Sequence, residues 1–177
     1  VAHAFNPNLC QGEVPPLKPK SQPQHASSKT YQSGSFSSTG SGLNSQEDWV
    51  VEGIAMVTDV PITYLGYVNR DTGIIEETGH PLDGRSIEDT VLIYPKGSGS
   101  TVAPYVLMGL IYTDKGPKAI VNRDVCSLTL PACSLLNVPY SHGFEEDPCI
   151  GVNDGDLVKV SKISDEVTIE ILKRVDD

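Results

Sequence analysis

The sequence predicts an α+β fold of many short strands and one or two helices, preceded by a disordered tail. Three observations carry this. From about Trp49 onward, short runs of β-branched residues are cut by Gly, Pro, Asn and Asp clusters, the punctuation of a β-rich domain. One longer apolar stretch, Val102 to Tyr112, suits a buried helix. The composition also changes near Asp48: the chain before it is Pro-rich (Val14 to Pro19) and then rich in Ser and Gly (Ser33 to Gly42), with Gln22, Gln24 and Gln32 between. Such a segment buries too little apolar surface to offset the entropy of ordering. The expectation is therefore a tail or linker over 1–48 and a folded domain over 49–177.

Val50 to Val57 reads as the first strand. Asp59-Val60-Pro61 ends it, and Ile62 to Tyr67 follows as a second short strand. Asn69 to Gly73 is turn chemistry, and Ile74-Ile75 starts another extended piece. After a loop over Gly79 to Ser86, Thr90 to Tyr94 is apolar at consecutive positions, as in a strand covered on both faces. The Val102 to Tyr112 helix is expected to be capped by Ser100 or Thr101, with Pro104 tolerated in its first turn. Lys118 to Val121 reads as a strand, Cys126 to Leu136 as a short helix, and Val138-Pro139-Tyr140 as a strand. Leu157 to Ser161 and the alternating Glu166 to Leu172 close the domain.

The chain has 177 residues, 38% hydrophobic, with 23 acidic and 13 basic side chains and a formal net charge of −10. That balance disfavours polyphosphate backbones and anionic lipid as partners, so neither nucleic acid nor membrane is expected. No run approaches a membrane span of roughly 20 apolar residues, and no signal peptide is visible. The cytoplasm is the expected compartment.

Cys10, Cys126, Cys133 and Cys149 form no Cys-x-x-Cys pair, so they read as reduced, packed thiols rather than metal ligands. His3 and His25 are isolated in the tail. His142 reads as an exposed, solitary histidine, and Glu145-Glu146-Asp147 as a solvated acidic loop.

Chemistry concentrates at Gly97-Ser98-Gly99-Ser100-Thr101. A buried strand, a Gly/Ser turn and a helix start in succession make an anion site, because the first helical N–H groups lack partners. Glycines allow close backbone approach. The loop is neither a nucleotide P-loop nor a dinucleotide fingerprint, since it lacks the Gly-Lys-Ser/Thr ending and a third glycine.

Around it stand Val51-Glu52-Gly53, Asp71-Thr72-Gly73-Ile74-Ile75, Gly79-His80-Pro81-Leu82-Asp83-Gly84-Arg85-Ser86, Val91 to Pro95, and Pro117 to Val121. This order and spacing resembles the small subunit, or fused small domain, of the aconitase X dehydratases. The resemblance covers nearly all of Val51 to Val160. It implies a swivelling β/β/α domain that closes over a large subunit or fused domain, with iron or an iron–sulfur centre on that partner and no cofactor on this chain. It also implies dehydration of a small anionic hydroxy acid, with Ser100 as proton acceptor.

Gly97, Ser98, Gly99, Thr101, His80 and Arg85 are the expected substrate contacts. His80 and Arg85 also have plain readings as turn and loop residues. Mevalonate 5-phosphate is the first substrate expectation, from Ser100-Thr101-Val102 and Tyr105-Val106-Leu107; cis-3-hydroxy-L-proline is the alternative. Ser98 stands where the family loop carries arginine, and Ala103-Pro104 where it carries a Gly-Ser pair. A non-catalytic, partner-binding domain of the same fold is the reading from another class.

Overall fold

The computed structural model describes residues 36–43 and 46–175. The elements run β1 (Ser37–Gly42), β2 (Trp49–Val57), β3 (Ile62–Thr63), α1 (Tyr64–Tyr67), β4 (Val91–Tyr94), β5 (Gly97–Ser98), α2 (Ala103–Tyr112), β6 (Ala119–Asn122), α3 (Leu130–Leu135), β7 (Tyr140–His142), α4 (Pro148–Gly151), β8 (Leu157–Ile163) and β9 (Glu166–Lys173). The predicted α+β class holds, with α2 as the one helix of substantial length and α1 and α4 each a single turn.

Seven strands close a barrel in the order β1-β7-β6-β4-β2-β8-β9, with β9 pairing back onto β1. One half is parallel: β2, β4, β6 and β7 run alongside one another. The other half is antiparallel, through β8, β9 and β1. The parallel half must be covered on its outer face, because its crossover segments pass there.

Alternation along the parallel strands separates two cores. Ala55, Val91, Ile93, Ala119 and Val121 point into the barrel, where they meet Val158, Val160, Val167, Ile169 and Ile171. Met56, Leu92, Tyr94, Ile120 and Tyr140 point outward, onto Val106, Leu107 and Leu110 of α2 and Ala132 and Cys133 of α3. This explains why Val91 to Tyr94 is apolar at every position: all four residues are buried, two on each face. Each fully buried aliphatic side chain contributes roughly 1.5–3 kcal/mol.

The boundary at Trp49 needs correction. Within the segment read as tail, Ser37–Gly42 is the strand that closes the ring, pairing over five positions with β9 and over two with β7. Its composition has a packing cause. A Cβ on Gly40 would meet the Phe144 ring at 2.8 Å, and one on Gly42 would meet Val167 Cγ2 at 2.9 Å. The closing strand is squeezed between neighbours, and its stability comes from backbone hydrogen bonds on both edges rather than from apolar side chains. Ser38 Oγ also bonds the backbone of Glu146. The remainder of the expected tail, residues 1–35 and 44–45, with His3, His25 and Cys10, lies outside the described residues.

Smaller departures have local causes. The expected strand over Ile62 to Tyr67 ends at Thr63, because the chain turns over Tyr64–Tyr67, where Gly66 takes a φ of +89°. The strand expected from Val138 begins at Tyr140; Val138 N–H instead donates to the Cys133 carbonyl, and Pro139 has no N–H to give. The acidic loop is only partly solvated. Asp147 Oδ2 accepts from Arg123 Nε at 2.5 Å, and Asp147 Oδ1 accepts from Cys149 N at 2.9 Å, capping α4. His142 is half-buried rather than exposed, and desolvation lowers its pKa.

Candidate functional site

The parallel strands β2, β4 and β6 end at one rim of the barrel, and the segments that follow them meet there. Loops at the carboxyl ends of parallel strands are where such sheets gather functional groups. Beyond β4, the chain forms β5, whose Gly97 and Ser98 pair in parallel with Ile62 and Thr63 beyond β2. Beyond β6, Asp124 N–H donates to the Pro95 carbonyl, and Cys126 Sγ accepts from Gly97 N at 3.1 Å. The Gly97–Thr101 loop is thus held from both sides.

Each glycine of the loop has a distinct reason. Gly97 is buried, and a Cβ there would press Leu128, Thr129 Oγ1 and Cys126 Sγ at 3.2–3.4 Å. Gly99 has a φ of +88°, and a Cβ would meet Thr63 Cγ2 at 3.0 Å. That left-handed residue turns the chain outward, so Ser100 and Thr101 emerge exposed.

The helix start differs from the expectation. Neither Ser100 nor Thr101 is the N-cap of α2; Val102 stands there, with no side-chain cap. Ser100 acts one residue earlier: its carbonyl accepts from Ala103 N at 2.9 Å, and its Oγ lies 3.4 Å from Val102 N. Tyr105 N–H goes to the Val102 carbonyl, and Pro104 has no N–H. The helix proper therefore offers no free amide in its first turn. Among the described residues, the N–H groups of Ser100 and Thr101 have no protein acceptor. The available donors belong to the loop and not to the helix.

A buried polar layer lies beneath. Tyr64 Oη and Tyr94 Oη are 2.7 Å apart, and Tyr94 Oη is 3.0 Å from Thr129 Oγ1. Tyr140 Oη accepts from Cys126 N at 3.0 Å. Burial pushes the Tyr64, Tyr94 and Tyr140 hydroxyls well above the ordinary tyrosine range, so they stay neutral and serve as structural hydrogen-bonding groups. Thr63, Cys126, Thr129 and Tyr140 carry no local signal of this role. They come from separate segments, and only the parallel strand order brings them under one loop.

His80 and Arg85 make their hydrogen bonds outside the Gly97–Thr101 loop. His80 is buried, and its Nδ1 accepts from Leu82 N at 3.1 Å, within its own turn. That fixes the proton on Nε2 in the neutral ring. Arg85 pairs with Asp154 at 2.5 Å, and Asp154 also accepts from Val57 N. Neither shares a hydrogen bond with the Gly97–Thr101 loop. His80 braces its own turn, and Arg85 ties its loop to the segment before β8. Ser98 is half-buried in the β3–β5 bridge, which leaves the loop without a cation at that position.

Among the described residues, no three His, Cys, Asp or Glu side chains are gathered to hold an ion. Cys126, Cys133 and Cys149 are free thiols; burial pushes Cys133 and Cys149 up to about 12, away from the thiolate a metal needs. No described helix is long and apolar enough to cross a membrane.

Comparison with known proteins matches this architecture. A family model described as the aconitase X swivel domain matches residues 32–171, with β1 inside the match. The chain is 37% identical over 123 residues to a protein of Methanosarcina mazei named phosphomevalonate dehydratase small subunit, covering 70% of this chain and 84% of that one. A protein of the same name from Methanosarcina acetivorans is 35% identical over 122 residues, covering 69% and 83%. The crystal structure of Thermococcus kodakaraensis aconitase X in its holo-form superposes with a TM-score of 0.66 at 28% identity, covering 76% of this chain and 98% of that one. With the loop, the barrel and the sequence match in agreement, the chain belongs to the aconitase X swivel-domain family.

Proposed function

We propose that this chain is the small, swivelling component of an aconitase X-type hydro-lyase, that its substrate is a small anionic hydroxy acid, mevalonate 5-phosphate first, and that Ser100 accepts the proton removed. The observation that carries the reading is the setting of Ser100. It is exposed directly after a left-handed glycine, beside two N–H groups with no protein partner among the described residues, at the rim where the parallel strands end. The name shared by the Methanosarcina relatives supports the reaction class and the substrate.

The chemistry follows from charge. A serine hydroxyl is a weak base, and becomes competent only where its oxyanion is stabilised. The free N–H groups of Ser100 and Thr101 supply part of that stabilisation, and fixed donors act strongly once closure excludes water. Starting from the Ser100 oxyanion, the proton leaves the carbon next to the substrate's carboxylate and restores the Ser100 hydroxyl, while the β-hydroxyl departs with its electron pair, leaving the alkene. On this reading, iron belongs to the large partner. The second reading, a partner-binding domain without catalysis, is favoured by Ser98, which gives the loop no positive charge for an anionic substrate.

The test is steady-state kinetics of the complex with the cognate large subunit, on mevalonate 5-phosphate and on cis-3-hydroxy-L-proline. Ser100→Ala is expected to lower kcat by about 10²–10⁴-fold, the usual contribution of a general base, with KM little changed. Ser98→Ala is expected to be much milder. An assembled complex inactive on both substrates favours the partner-binding reading. Near-full turnover by Ser100→Ala removes the catalytic assignment.

A further inference from the structure

We infer that Cys126 is a positioning residue for Ser100, acting through the Gly97 amide; this rests on the proposed role of Ser100. Gly97 is the one residue of the loop whose backbone is both buried and tied to another segment by a side chain. Its N–H donates to Cys126 Sγ at 3.1 Å. Cys126 is itself 5% exposed, and its own N–H donates to Tyr140 Oη at 3.0 Å. The hydroxyl of Tyr140 thus fixes the Cys126 backbone, the thiol fixes the Gly97 backbone, and the chain reaches Ser100 after two more residues.

The alternative anchors are weak. Ser98 is held by the two-residue β3–β5 bridge. Gly99 contributes only its turn, and Ser100 Oγ makes a single long contact at 3.4 Å. Without the thiol, the Gly97 N–H would be a buried donor with no acceptor. The adjoining Thr129 Oγ1 is already engaged with Tyr94. An unsatisfied buried donor is costly, and the loop would relieve it by moving outward into water, carrying Ser100 with it. The thiol has no other role visible in the fold, since Cys133 and Cys149 form no disulfide with it.

The experiment uses the full chain with its large partner and compares Cys126→Ala with Cys126→Ser. A displacement of about 1 Å at a reacting group costs up to roughly 100-fold. Cys126→Ala is therefore expected to lower kcat by about 10- to 100-fold, with KM and partner affinity nearly unchanged and a modest fall in melting temperature that leaves the chain folded at the assay temperature. Cys126→Ser, which restores an acceptor, is expected to recover part of that loss.

A kcat within about twofold of the parent for Cys126→Ala, or a loss matched by a loss of folded protein, overturns the inference while leaving Ser100 intact. A parallel Ser100→Ala variant separates the two readings. If Ser100→Ala is inert, the catalytic role of Ser100 fails, and the positioning of its loop is judged by amide exchange. The Gly97 amide, followed by NMR on the full chain, is expected to exchange at least about tenfold faster in Cys126→Ala. Should Cys126→Ala fold poorly, Tyr140→Phe loosens the same anchor from its far end, and unchanged Gly97 exchange there overturns the inference equally.

Discussion

At Gly99 a φ of +88° and a Cβ position 3.0 Å from Thr63 Cγ2 act together. An L side chain in the left-handed region costs about 1–2 kcal/mol, and the threonine methyl must also give way. Gly99→Ala is expected to destabilise the chain by about that amount and to lower turnover further, because the same residue aims Ser100. A urea titration beside kinetics separates the two losses.

The residues of this site were unequally legible. The Gly/Ser loop stands out in sequence because left-handed turns and close approaches restrict residue choice. Cys126 does not. Its type fits any small core position, and its partner, Gly97, lies on a different strand connection.

Among the elements, α2 was legible almost to its ends, since its length and apolar content admit few other structures. Its faces differ sharply. Leu107 and Leu110 are fully buried against the outer face of the parallel strands, whereas Tyr105 is 71% exposed. Leu107→Ala is expected to cost about 2–5 kcal/mol and Tyr105→Ala no more than about 0.5 kcal/mol, read from shifts in denaturant midpoint.

β8 and β9 were equally plain because their alternation is strict, with Val158, Val160, Val167, Ile169 and Ile171 all pointing into the barrel. β1 was hidden for the opposite reason. It is chosen for narrowness, and a strand of Ser, Thr and Gly reads like a linker. The test is truncation: a chain starting at Trp49 is expected to melt well below the full chain, because β7 and β9 each lose a partner strand.

For the whole molecule, the buried phenols and thiols set an alkaline limit. Burial pushes Cys133 up to about 12 and holds Tyr64 and Tyr94 above their ordinary range. In the unfolded chain these groups release protons near 8.5 and 10, so above those values the unfolded state binds fewer protons than the folded one. Stability from these groups is therefore complete below about pH 8.5 and falls as pH rises toward 12. Urea midpoints at pH 7, 9 and 10.5 should decline in that order; a flat series would mean that these hydroxyls and thiols are hydrated. Architecture at this scale was only partly readable. Alternation and turn signals gave the kind of elements and most of the longer strands, but ring closure depends on pairings such as Ser37 with Glu170, which no local pattern encodes.

That pairing also dictates a timetable for biosynthesis. β1 leaves the ribosome long before β9, its longest partner, has been made. Until then the barrel is a cleft sheet with two open edges, and its valine-rich interior is accessible to solvent. Exposed edges of this kind are templates for pairing with other chains. The narrow, polar, glycine-bearing character of β1 thus suits its long wait. A strand of Ser, Thr and Gly can remain hydrated beside the nascent chain without recruiting neighbours, and it then seals the ring when the last strand emerges.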